Sequence, residues 1–131
     1  MKTYEVTRSM SGEIGVLVKT DNGRNATILP HCVLHSPTGF ETGYGGSGPA
    51  DLALSILADF LGVAPERMAA ALKKTFLFAL STPSHKAFRY HQDFKWQFIS
   101  GRNLAPGKSY EILGAEIASW IGDRDRSLSE K

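Results

Sequence analysis

Gly43-Tyr44-Gly45-Gly46-Ser47-Gly48-Pro49-Ala50-Asp51-Leu52-Ala53-Leu54-Ser55-Ile56-Leu57-Ala58-Asp59-Phe60-Leu61-Gly62 is the stretch on which the fold turns. Leu52, Leu54, Ile56, Leu57, Phe60 and Leu61 recur at helical spacing and surround most of the circumference. A helix that is apolar all round is a buried one, so other elements must cover every flank. Pro49 suits the first helical position, where its missing N–H loses nothing, and Gly48 then becomes the N-cap. Asp51 is expected near the start, complementing the helix dipole and reaching back to a free N–H. Gly62 ends the helix.

Working toward the N-terminus, period-two alternation takes over. Tyr4, Val6 and Arg8 alternate with Thr3, Glu5 and Thr7, and Ile14, Val16 and Val18 with Gly15, Leu17 and Lys19. Ser11-Gly12 separates this pair, and Asn22-Gly23 supplies the positive φ angles of a hairpin turn. A further strand over about Asn25–Leu29 stops at Pro30, giving an antiparallel meander. His31 to Gly48 is a long glycine-rich loop, a kind of segment that is often functional in a small domain.

Toward the C-terminus, Pro65 opens a helix with Met68, Leu72, Thr75, Phe76 and Ala79 inward, broken at Ser81-Thr82-Pro83. With Ser84 as N-cap, a third helix over about residues 85–100 places Ala87, His91, Phe94 and Phe98 on one face. A short strand over Tyr110–Leu113 and a helix over about Gly114–Ile121 follow. The reading is an α+β fold: a small antiparallel sheet of three to four strands on a buried central helix with flanking helices. Residues 1–122 form a single domain, and residues 123–131 a polar, frayed tail.

The composition sets limits. The chain has 131 residues, 42% hydrophobic and 21% charged, which fits one globular domain and excludes a wholly disordered or fibrous protein. Leu52–Gly62 is interrupted by Ser55 and Asp59 and falls short of the roughly 20 residues that span a bilayer, so no membrane association is expected. The N-terminus lacks the apolar run of a signal peptide. The single cysteine, Cys32, fits a reducing cytoplasm. The net charge of +2 conceals a division: residues 1–62 carry −2 and residues 63–131 carry +4. Between Arg67 and Lys108, eight basic residues face only Asp93, which favours an anionic partner.

Four features could carry chemistry. Gly43–Gly48 matches G-x-G-x-x-G at the start of a helix, so Tyr44, Gly45, Gly46, Ser47 and Gly48 are candidate ligand-binding residues for a phosphate. The dinucleotide fingerprint also needs a preceding strand and a later acidic residue, both missing here; the other reading is a tight structural loop. Ser47 fails the nucleophile-elbow pattern, and no catalytic residue is assigned. His31, Cys32 and His35 match no strong zinc spacing, and neither metal nor cofactor is expected. On the third helix, Trp96 lies opposite the apolar face beside Arg89, with Lys86 and Asp93 flanking. Unless another segment covers Trp96, this is a surface for a protein hot spot or for stacking a base beside phosphate-binding cations.

The stretch from His35 to Asp59, with Ser36-Pro37-Thr38-Gly39-Phe40 followed by Gly43-Tyr44-Gly45-Gly46-Ser47-Gly48-Pro49-Ala50, resembles the domain of unknown function family numbered 6166. Phe94-Lys95 and Trp120 stand where that family has a later Phe-Lys pair and a Trp-bearing C-terminal helix, so the resemblance spans roughly residues 4–121. It implies a small intracellular domain of bacteria and their phages or mobile elements, and no established activity. The function expected is a non-enzymatic binding module for a host defence component, either a host protein or an anionic nucleotide signal. The alternatives are a nucleotide or phosphate-ester enzyme built on the glycine loop, and nucleic-acid binding through the basic segment. The oligomeric state stays open.

Overall fold

The computed structural model describes residues 1–34, 39–72 and 82–129. Strands β1 (Thr3–Arg8), β2 (Ile14–Thr20) and β3 (Asn25–Ile28) form the expected meander, and β4 (Ser109–Leu113) joins the sheet beside β1. The sheet order is β3-β2-β1-β4, every pair antiparallel, with Tyr4 opposite Val18 and Ile112. At the β2–β3 turn, Asn22 (φ 57°) and Gly23 (φ 88°) both take the positive φ that a tight hairpin turn demands.

Alternation decides which face of the sheet is covered. Tyr4, Val6, Val16, Val18 and Ile112 are buried. On the opposite face, Lys19 reaches Glu5 at 2.9 Å and Glu111 at 3.3 Å across the strands.

Helix α1 (Ser47–Phe60) is buried at every position from Gly48 to Ala58. Its side chains join the sheet's inner face in one core, while α3 (Pro83–Phe98) lies along it. Helix α2 (Pro65–Leu72) adds Met68, which is wholly buried. The rest of the expected second helix, with Thr75, Phe76 and Ala79, lies outside the described residues.

Both α1 and α3 begin earlier than expected. The N-cap of α1 is Gly46, not Gly48, so Pro49 sits at the third helical position. Proline is tolerated there because no N–H in the first turn has an intrahelical partner. Asp51 does not cap the helix; it is fully buried and turned toward His31 and Leu34. In α3, Thr82 is the N-cap in place of Ser84: its hydroxyl accepts from the His85 N–H at 3.2 Å, and Pro83 takes the first position.

Helix α4 (Gly114–Ser129) runs past Ile121 through residues read from the sequence as a tail. Trp120 lies edge-on to Phe94 (5.5 Å, 82°) and Tyr90 (6.0 Å, 88°). One turn further on, Asp125 accepts from Lys86 Nζ at 2.7 Å and Tyr90 Oη at 2.6 Å. Burial pushes the Asp125 carboxyl up, but these hydrogen bonds outweigh it and leave the group below its ordinary range.

Phe94 therefore packs its ring against Phe98 and against Trp120 of α4 within the core and has no exposed surface. Phe94→Ala is expected to lower the unfolding free energy by about 3–5 kcal/mol, measured by urea denaturation.

Candidate functional site

The glycine loop does not hang free ahead of α1. Five contacts pin it to the C-terminal end of α3 and the segment beyond. Gly43 N–H donates to the Ile99 carbonyl at 3.1 Å. The buried Thr42 hydroxyl lies 2.9 Å from the Ile99 carbonyl, 3.0 Å from the Arg102 carbonyl and 2.9 Å from Tyr110 Oη. Farther along the loop, Lys95 Nζ donates to the Gly45 carbonyl at 3.1 Å. Lys95 is only 6% exposed, rare for lysine, and its ammonium also stands 4.7 Å from the Trp96 ring centroid.

Two aromatic rings rest directly on the loop. A Cβ on Gly45 would fall 2.5 Å from Trp96 Cη2, and one on Gly46 would collide with the Tyr44 ring. The absence of side chains at 45 and 46 is what lets both rings lie against backbone. Neither ring is covered from outside: Trp96 is 64% exposed and Tyr44 51%. Two sequence features separated by 50 residues, the glycine loop and the Trp96 face of α3, thus form one surface.

The loop is braced on its other side by an ion pair that the sequence did not announce, with Glu41, which stands near His31, Cys32 and His35 in the sequence, held instead by Arg8. Arg8 Nη2 donates to Glu41 Oε1 at 2.8 Å and Nη1 to Glu41 Oε2 at 3.3 Å, while Nε donates to the Leu104 carbonyl at 2.7 Å. This fork clamps β1, the segment before β4 and the loop to one another. The stem of Glu41 packs on Gly48. Arg8 sat in a strand pattern as an alternating residue, and nothing in its spacing pointed to Glu41.

A cleft of about 340 Å³ opens where the β1–β2 turn meets this loop; it is lined by Glu13, Phe40, Glu41, Tyr44, Ser47 and Gly48, among others. Its charge matters for the phosphate reading. Glu13 takes hydrogen bonds from the hydroxyls of Ser9 and Ser11. The N-terminus of α1 does face this cleft, yet Glu13 at its wall opposes an anion, while the Glu41 carboxylate is already paired with Arg8.

The remaining candidates divide. Lys86 is drawn away from Trp96 to Asp125 on α4. Arg89 stays exposed on the outer side of α3, and Asp93 pairs with Arg124 at 3.4 Å. His31 Nε2 lies 2.8 Å from Asp51 Oδ2, and the Leu34 N–H also reaches that carboxylate, at 3.2 Å. Cys32 is buried, which pushes its thiol up, and its N–H donates to Ser55 Oγ at 2.8 Å. His35 lies outside the described residues; among those described, no group of three His, Cys, Asp or Glu side chains could hold a metal ion.

The arrangement defines an α+β protein with an exposed aromatic pair mounted on a pinned glycine loop. The chain belongs to a family of unknown function, DUF6166, whose model matches residues 4–84. The match takes in the sheet meander, the glycine loop and α1; Lys95, Trp96 and Trp120 lie beyond it. No curated protein and no solved structure shows significant similarity to the chain.

The Glu41 carboxyl is held below its ordinary value of 4.5, first by the hydrogen bonds from Arg8 and then by the Thr42 N–H, with burial opposing. A carboxylate depressed in the folded state stabilises above its unfolded pKa, and that contribution disappears as pH falls through the folded value. Glu41→Gln is therefore expected to lower the thermal midpoint at neutral pH. It is also expected to flatten the decline of that midpoint below about pH 4.5, measured by calorimetry across a pH series.

Proposed function

We propose that the protein is a non-enzymatic binding module whose contact surface is the Tyr44–Gly46 loop together with Trp96 and Arg89. The observation that carries this reading is the exposure of Trp96 and Tyr44 on a loop that Lys95, Thr42 and Gly43 hold in place. Large aromatic side chains and arginine dominate the energetics of protein contacts, and a pre-ordered surface loses little entropy on binding.

A protein partner is favoured over an anionic nucleotide. Glu13 lines the cleft beside the helix start, Arg8 is already engaged by Glu41 there, and Lys95 serves the Gly45 carbonyl. The same consideration weakens the phosphate-ester enzyme. For nucleic acid, several cations among the described residues of the basic segment are already engaged or buried. Lys86 is paired with Asp125, Lys95 is buried, and Arg102 stands over the Tyr110 ring at 5.0 Å. Asp125 of α4, invisible in a count taken between Arg67 and Lys108, neutralises Lys86 of that segment.

The setting proposed is cytoplasmic. The buried free thiol of Cys32 supports it. Among the described residues, no single helix is long and apolar enough to cross a membrane. In the phage or mobile-element context that the resemblance implies, the partner would be a host defence protein.

Quantitative affinity capture from bacterial lysate, run in parallel with wild type, Trp96→Ala, Tyr44→Ala and Arg89→Ala, tests the reading. A protein retained by wild type is expected to lose at least about 2 kcal/mol of affinity, roughly 30-fold, on the Trp96 or Tyr44 replacement. Equal retention by all four proteins would rule this surface out as the contact. Nucleotide retained in place of protein would transfer the reading to the anionic ligand.

A further inference from the structure

We propose a second site at the opposite end of α1: the cleft bordered by Lys2 and Asp59 binds a small zwitterion with an aliphatic body, of the class of free aliphatic α-amino acids. It is independent of the aromatic surface, roughly 20 Å away along the helix. The cleft measures about 270 Å³ and is bounded by the β3 exit, the last turns of α1 and the turn into α2. That is a little below the roughly 300–1,000 Å³ of sites for drug-sized ligands, as suits a smaller molecule.

One wall carries two charges with unused bonding capacity. Lys2 Nζ donates to Asp59 Oδ2 at 3.0 Å, and Tyr4 Oη donates to the same oxygen at 2.7 Å. Both bonds converge on Oδ2, so the second carboxylate oxygen retains its lone pairs toward a donor. Lys2 directs a further proton at the Asp59 carbonyl, at 3.5 Å, which leaves one of its three for an acceptor. Neither side chain is sealed: Lys2 is 38% and Asp59 22% exposed. A donor cation and an acceptor anion side by side are the complement of an ammonium–carboxylate head group. The ammonium end is favoured further at Asp59, because the last carbonyls of α1 carry the negative end of the helix dipole.

The other walls are apolar or already satisfied. Pro30, Val63, Ala64 and Pro65 offer hydrocarbon to an aliphatic chain. At the floor, Ser55 Oγ accepts from the Cys32 N–H. A ligand with one charge engages only one of the two groups, so binding is tightest when both charges are present.

The test is a heteronuclear NMR titration of the full chain with L-leucine, isoamylamine (leucine without its carboxylate) and isocaproate (leucine without its amine). The expected result is saturable shifts of the Cys32, Gly62 and Val63 amides with L-leucine, and affinities at least about tenfold weaker for each single-charge analogue. Lys2→Gln is expected to weaken leucine binding by a similar factor while the spectrum stays folded. The proposal is overturned if L-leucine gives no saturable shift at these amides, if either analogue binds as tightly as leucine, or if folded Lys2→Gln binds leucine as wild type does.

Discussion

A helix with no solvent-facing side needs cover on every flank, and that requirement organises this protein. Residues 48–58 of α1 are all buried, so the sheet occupies one side and α3 another. The order of the chain follows. The meander is finished before α1 begins, and the chain must then travel from the edge of the sheet to the start of a buried helix. It does so in a loop squeezed between the β1–β2 turn and the end of α3. Glycine at 45 and 46 is the consequence of that crowding, because side-chain rings occupy the space a Cβ would need.

Once the loop passes so close to α3, its carbonyl groups need donors. Lys95 meets this need for Gly45 from a nearly buried position, and the cost of removing its ammonium from water is offset by that hydrogen bond and by the adjacent indole. The next residue on the same helix, Trp96, is carried to the surface against the loop. Burial of Lys95 and exposure of Trp96 invert the usual preference of the two residue types. The inversion joins the glycine loop to α3 and leaves a rigid aromatic platform facing solvent.

The layer order was legible in the sequence because it rests on periodicity. The alternation of Tyr4, Val6, Val16 and Val18 fixed which residues face inward, and the all-round apolar pattern from Leu52 to Leu61 fixed the central helix. Cap positions were less legible. Gly46, Gly48, Thr82 and Ser84 all suit a helix start, and the choice was made by tertiary packing. The burial of Asp51 against His31 in particular could not be read from residues 20 apart. The same holds for the site: both halves stood out, Gly43–Gly48 by motif and Trp96 by its place on the helical wheel. Their contact depends on how α3 lies on α1, which neither segment encodes alone. Arg8, Glu41 and Asp125 gave no local signal, since each acts through a partner at least 33 residues away. The charge reading changed for this reason, because Asp125 sits outside the basic segment that it neutralises.

The central claim is that Lys95 holds the glycine loop and its two aromatic rings as one ordered surface. Backbone order parameters of Gly45 and Gly46, compared between wild type and Lys95→Met, test it most directly. Methionine keeps most of the buried stem and removes the donor. Wild-type values near the 0.85 or so of rigid backbone are predicted, falling below about 0.6 in the variant while those of Leu54 and Ile56 stay unchanged. Flexible values at Gly45 and Gly46 in the wild type, or values unmoved by Lys95→Met, would contradict the account.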